Sequence, residues 1–288
     1  MKAIFKHELS SYLTGVTGYV FGAFVLLFAG IFSMVYNLQY GYTNFEYALS
    51  NMSFIFLIIV PVLTMRVLAE ERRQKTDQLL YSLPISMVDV VMGKYLAILV
   101  VFLIPMAIIS LYPLVLSQWG NVFLPASYGA IVAFYLLGAS LLAIGMFVSS
   151  LTDNQAVAAG LCFVIMLLSY YLSALADFLP TTAKASYTAF AVLILIVAVI
   201  FRMMTKNTLS TLILAIVGEG ALFVAYSVNS SSFEGLFASV ISEVSVFDRF
   251  YEFINGVFNL TSVVYYLTVI AIFLFITVQS LEKRRWSE

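Results

Sequence analysis

The sequence predicts an all-α, polytopic integral membrane protein with about eight transmembrane helices, on three observations. Of 288 residues, 62% are apolar and 10% are charged, with a mean hydropathy of +1.03, whereas soluble domains carry about 25% charged residues. The apolar residues form continuous runs rather than alternating ones. That favours helices over a barrel, the only two ways to satisfy every backbone group in hydrocarbon. The basic residues are also segregated: with the amino terminus inside, twelve of fourteen fall on the inner side and only Lys184 and Arg249 fall outside, the asymmetry that sets topology.

In chain order, residues 1–14 predict an amphipathic helix lying in the inner interface, with Phe5, Leu9, Tyr12 and Leu13 on one face and Lys2, Lys6 and Glu8 largely elsewhere. The first apolar run, Tyr19 to Tyr36, is longer than a secretory signal core and is followed by more spans, so it reads as retained. Within its reach, Gly18-x-x-x-Gly22 permits close helix packing, including against a second copy. The next runs are Ser53 to Val67 and Val90 to Leu116; the latter is long and holds Pro105 and Pro113, which predict tilt or a kink. Tyr128 to Val148, Ala156 to Ala176, Tyr187 to Phe201, Leu209 to Val228 and Val263 to Leu281 complete the set. An even number of crossings returns the carboxyl terminus, with Lys283-Arg284-Arg285-Trp286, to the cytoplasm. The outer loop, 229–262, predicts one or two short helices with Glu234, Glu243, Asp248 and Glu252 among aromatic residues, an external gate or a docking surface for an extracytoplasmic partner.

Catalytic motifs fail one by one. Gly93-Lys94 invites a phosphate loop, but position 88 is Val and no Ser or Thr follows the lysine. Gly138-Ala139-Ser140-Leu141 is followed by Leu142 rather than glycine, so there is no nucleophile elbow. The single His7 and the single Cys162 offer neither a metal cage nor a disulfide framework, and no nucleic-acid partner is expected. One acidic residue sits inside a run: Glu219, between Gly218 and Gly220, must face a cavity, find a partner or hold a proton. It is the candidate translocation-path residue, or else a helix–helix hydrogen bond.

Between the second and third runs, Met65 to Ser86 holds four of the fourteen basic and three of the fifteen acidic residues. Helical spacing continues from Arg66 through Glu70 and Glu71 to Leu79-Leu80, and Leu83-Pro84 breaks it. Residues 66–89 therefore predict a cytoplasmic coupling helix and loop, with Leu79, Leu80 and Leu83 for an apolar groove and Arg72, Arg73, Lys75 and Asp77 at its rim. The other reading of such a segment is a solvated positive loop.

Glu70-Glu71-Arg72-Arg73, Thr76, Leu79-Leu80, Leu83-Pro84 and Gly93-Lys94 occur in an order that resembles the loop between spans two and three of ABC-2-type permease subunits, particularly the gliding-motility and copper-enzyme-maturation permeases. Phe247 to Trp286, an aromatic outer segment leading to a last span closed by basic residues and Trp, is similar to the end of the gliding-motility type. The resemblance touches about half of the chain and is weaker over residues 169–243; many relatives have six spans, so runs six and seven read as an extra pair. It implies the permease subunit of an ATP-driven exporter in the bacterial inner membrane, with both termini cytoplasmic. Such a subunit has no cofactor of its own, ATP and Mg being held by a partner ABC ATPase, and it works with a second permease copy or a related permease. The ATPase-docking residues it implies are Glu71, Arg72, Arg73, Thr76, Leu79, Leu80 and Leu83. Two other classes remain: a carrier or channel using Glu219 with Asp153 as an inner proton relay, and a membrane anchor that transports nothing.

Overall fold

A computed structural model describes residues 1–76, 85–205 and 208–285, and these contain helices and connecting turns but no strand. The chain divides into two compact units, one of Met1–Tyr170 with Arg249–Glu288 and one of Tyr171–Asp248.

In the first unit, α1 (Lys2–Thr14) ends where Gly15 turns extended, and α2 (Val16–Ser33) follows at once. The junction depends on Gly18: a Cβ there would sit 2.3 Å from the carbonyl oxygen of Tyr12, so only glycine lets α2 start this close to α1. Gly22, its partner in the predicted packing motif, faces open space. A π-helical turn, Met34–Gln39, continues α2, and the Asn37 amide closes the way to the next element by donating to the carbonyls of Tyr42 and Asn44.

The second apolar segment starts earlier than the hydropathy run. α3 (Phe45–Met52), a 3-10 turn and α4 (Phe56–Thr64) follow one another, with Pro61 accommodated inside α4, and a turn then leads to α5 (Ala69–Arg73). The helix that opens the predicted coupling segment stops at Arg73, because Lys75 takes a left-handed conformation (φ 55°). Residues 77–84, including Leu79, Leu80 and Leu83, lie outside the described residues. α6 (Met87–Ile109) is capped by Ser86, whose hydroxyl accepts from the amide of Asp89. The long third run then breaks at Ser110-Leu111 rather than at Pro105, and α7 (Tyr112–Leu116) restarts with Pro113 in its first turn, where a missing N–H costs nothing.

α8 (Leu124–Ser149) is the core of this unit, 78% of its most apolar stretch being buried. It packs against α3, α4, α6, α9 (Gln155–Tyr170) and α15 (Leu260–Arg285). Its small residues explain the closeness: a Cβ at Gly138 would meet the Phe102 ring at 2.4 Å, and one at Gly145 would meet Thr64 Oγ1 at 2.5 Å. The Gly138-Ala139-Ser140 stretch thus serves helix packing, the usual role of small residues in a membrane. α14 (Asp248–Ile254) precedes α15, and Glu252 ties the two by accepting from Asn259 and from Ser262.

The second unit contains α10 (Leu172–Asp177), the hairpin of α11 (Ala183–Thr205) and α12 (Thr208–Val228), and α13 (Leu236–Val244). α13 and α14 are the short helices expected in 229–262. Among the described residues, six helical segments are long and apolar enough to cross a membrane: Val16–Gln39, Phe45–Arg73, Met87–Leu116, Leu124–Ser149, Thr208–Val228 and Leu260–Arg285. Gln155–Tyr170 and Ala183–Val199 are shorter apolar helices. The fifth run is interrupted at Tyr171, so its last residues form the separate α10.

Candidate functional site

A dense polar constellation in the first unit surrounds α5. Both ends of this five-residue helix are held, which matters because so short a helix has no stability of its own. At its start, the amides of Leu68 and Ala69 donate to Ser149 Oγ at 3.3 and 3.2 Å, so a side chain at the end of α8 satisfies donors that a helix start leaves orphaned. At its end, Thr76 N–H reaches the Glu71 carbonyl and Lys75 N–H the Arg72 carbonyl, both at 3.0 Å. This is the reciprocal pairing of a Schellman cap, with lysine where glycine is usual.

The side chains of α5 then reach in two directions. Glu71 Oε1 accepts from Lys94 Nζ at 2.7 Å, and the same ammonium donates to Glu8 Oε1 at 2.6 Å and to the Val67 carbonyl at 3.1 Å. All three ammonium protons are used. Lys94 is 2% exposed, and a charge so placed is retained only with such partners. Gly93 makes the arrangement reachable: its missing side chain leaves room for Ile4, whose Cγ2 would lie 3.1 Å from a Cβ there, and Glu8 follows one helical turn later on α1. The Gly-Lys pair is therefore an α1-docking device.

The next residue, Arg72, is buried, and its Nη1 lies 3.8 Å from Asp153 Oδ1. Asp153, in the turn between α8 and α9, also accepts from Arg284 of α15 at 2.8 and 3.3 Å. The Arg284 hydrogen bonds, with the nearby Arg72 charge, hold the Asp153 carboxyl below its ordinary range. Consecutive residues of α5 thus pair with Lys94 of α6, which also holds Glu8 of α1, and with Asp153 of the α8–α9 turn, which also holds Arg284 of α15. A displacement of α5 must be felt by all of them.

The expected docking residues divide accordingly. Glu71 and Arg72 are turned to partners within the chain, and Arg73 and Thr76 are exposed. Glu219, on α12, is half-buried; its Oε1 is enclosed and makes no hydrogen bond among the described residues. Asp153 serves an ion pair.

Sequence reasoning passed over two charged residues. Lys94 enters that reasoning only in a rejected phosphate loop and in the Gly93-Lys94 pair of the family resemblance, although a lysine inside a membrane-length run itself demands a counter-charge. Glu46, 2% exposed in the first turn of α3, accepts from Ser127 Oγ at 3.0 Å, while its Oε2 is buried without a hydrogen-bond partner among the described residues. It lay ahead of the hydropathy run, which began at Ser53. Among the described residues no cluster of His, Cys, Asp and Glu could hold a metal ion.

Residues 3–286 match the family model described as ABC-2 family transporter protein. No curated protein matches the chain in sequence.

Proposed function

The chain belongs to the ABC-2 family of transporter proteins, a multi-pass membrane permease, and from that premise we propose that it is the permease subunit of an exporter driven by a separate ABC ATPase. The partner holds ATP and Mg; this chain contributes the path and the transmission, working as a homodimer or with a related permease in the bacterial inner membrane with both termini cytoplasmic.

One observation supports the transmission reading above the rest: Glu71 and Arg72, adjacent on α5, pair with separate parts of the first unit, Lys94 of α6 and Asp153 of the α8–α9 turn. Nucleotide-driven movement of the ATPase, delivered to Arg73, Thr76 and the adjoining Leu79, Leu80 and Leu83, becomes movement of α1 and α6 through Lys94 and of α15 through Asp153. For this to drive transport, the contacts must differ between inward-open and outward-open states, since docking of equal strength in both shifts nothing. Residues 229–262 form the external gate in this scheme.

The test is reconstitution with an ABC ATPase that co-purifies with the chain. Arg73→Glu and the pair Leu79→Ser with Leu80→Ser are expected to insert normally and to retain basal hydrolysis while losing nucleotide-dependent transport. Wild-type coupling in these variants refutes the docking assignment. A second reading is favoured by the orphaned Oε1 of Glu219: a carrier with its polar site on α12. Solute movement on an ion gradient with no hydrolase attached would establish it instead.

A further inference from the structure

The helix at the centre of the first unit has no Asp, Glu, Lys or Arg along its length, so the ion pairs around α5 do not include α8. Its bond to that region is a hydroxyl. Residues 65–68 make the elbow between α4 and α5, where Val67 and Leu68 are buried and have no water to satisfy their backbone groups. Ser149 Oγ, itself 1% exposed, accepts from the amides of Leu68 and Ala69 and donates to the Met65 carbonyl at 3.4 Å. One donor and two lone pairs are all that a hydroxyl has, so the elbow saturates Ser149. Turning α5 away from α8 would strand buried backbone groups, an outcome that folded chains avoid strongly. One helical turn deeper, Gly145 seats Thr64 so closely that a Cβ would lie 2.5 Å from its Oγ1, which leaves the end of α4 no room to slide along α8. The elbow and α8 therefore move as one body.

The other half of α8 meets the outer segment. Phe134, separated from Ser149 by about 22 Å of unbroken helix, has its ring against Phe250 of α14, edge-on at 5.6 Å between centroids. Both rings are fully buried, and a close-packed pair passes on a shift rather than absorbing it. α14 lies in 229–262, assigned above to the external gate. We propose that α8 is the rod that carries a displacement of the α5 elbow to the gate helix α14, with Ser149 and Phe134 as the positioning residues at its two ends. The route is neutral throughout and distinct from the ion-paired routes through Lys94 and Asp153. It deepens the ATPase-driven reading and rests on it for the origin of the displacement. The rod works only if elbow and gate each have two arrangements that nucleotide biases.

The test uses the full chain with a co-purifying ABC ATPase and needs no cargo. Bimane is attached at Gln74→Cys, exposed beside the elbow, or at Tyr251→Cys, exposed on α14, each in a Cys162→Ala background. Its emission is compared in ADP and in ATP trapped with vanadate. Without further substitution, both probes are expected to respond to trapped nucleotide. In Ser149→Ala and in Phe134→Leu the inner response should persist while the outer one falls roughly threefold or more. Ser149→Thr, which keeps the hydroxyl, should restore the outer response. Ser140→Ala, which removes a buried hydroxyl of the same helix that donates to the Leu137 carbonyl, should leave both unchanged. An outer response that survives Ser149→Ala or Phe134→Leu overturns the proposal, as does an outer loss in Ser140→Ala. Loss of both responses together in either variant overturns it too, that being the mark of a structural role alone. Silence of both probes before any of these substitutions overturns the ATPase reading and this inference with it, so the two failures are told apart.

Discussion

Neutralising both carboxylates that face Lys94 is expected to cost far more than neutralising either. In Glu8→Gln or Glu71→Gln, the ammonium keeps one carboxylate and the Val67 carbonyl, so the change exchanges a charge-assisted hydrogen bond for a neutral one, about 1 kcal/mol. Glu8 and Glu71 are themselves 16% and 30% exposed in their side chains, which moderates each single loss. In the double variant, an ammonium that is 2% exposed has no countercharge, and breaking a buried pair in this sense costs about 3–5 kcal/mol. The excess over additivity, about 1–3 kcal/mol, is large against the roughly 0.5 kcal/mol scatter of independent sites. The readout is the unfolding midpoint in detergent, where about 1 kcal/mol moves a domain of this size by roughly 2–4 °C. Adding Lys94→Met to the double variant removes the stranded charge while keeping its volume and should recover most of the loss. Additive singles, or a triple variant no better than the double, would refute the idea that this cation is held by paired carboxylates.

Three further outcomes follow from the packing and the ion pairs. Gly145→Ala forces a methyl to within 2.5 Å of Thr64 Oγ1 and should destabilise by about 1–3 kcal/mol, whereas Gly160→Ala, inside α9 with nothing within 4 Å of the added methyl, should raise the unfolding midpoint, by about 0.5–1 kcal/mol in stability. Lys75→Gly places glycine at the left-handed position that closes α5 and should raise the midpoint, by about 1 kcal/mol in stability; no gain would mean that the cap geometry is not what ends the helix. Because Arg284 holds the Asp153 carboxyl below its ordinary range, the stability this pair contributes is fully present above the ordinary aspartate value of about 4 and is lost as pH falls through the lowered one. Wild type should accordingly exceed Asp153→Asn by a constant margin from neutral pH down to about 4, and the two should converge only in stronger acid.

Hydropathy and charge placement were enough to read an α-helical membrane chain, the approximate position of its apolar segments, the amphipathic leading helix and the charged segment after the second span. A bilayer imposes these directly, since helix length and the exclusion of free backbone groups are properties of one segment at a time. What they left undecided concerns partners. Lys94 meets Glu8 across 86 residues and Glu71 across 23, and Arg72 is drawn in by Asp153, so residues that spacing placed on an outer docking face are divided between two internal clusters and the surface. The end of α5 also escaped local reading, because a Lys in the left-handed conformation carries no turn signature of its own. Glu46 was hidden by a window that began too late; its burial becomes evident only when α8 brings Ser127 to it. The sequence alone determined which segments are apolar enough for a membrane, because lipid judges each segment by its own composition, whereas tertiary structure decided which charges meet, because that depends on how glycine-lined helices approach one another.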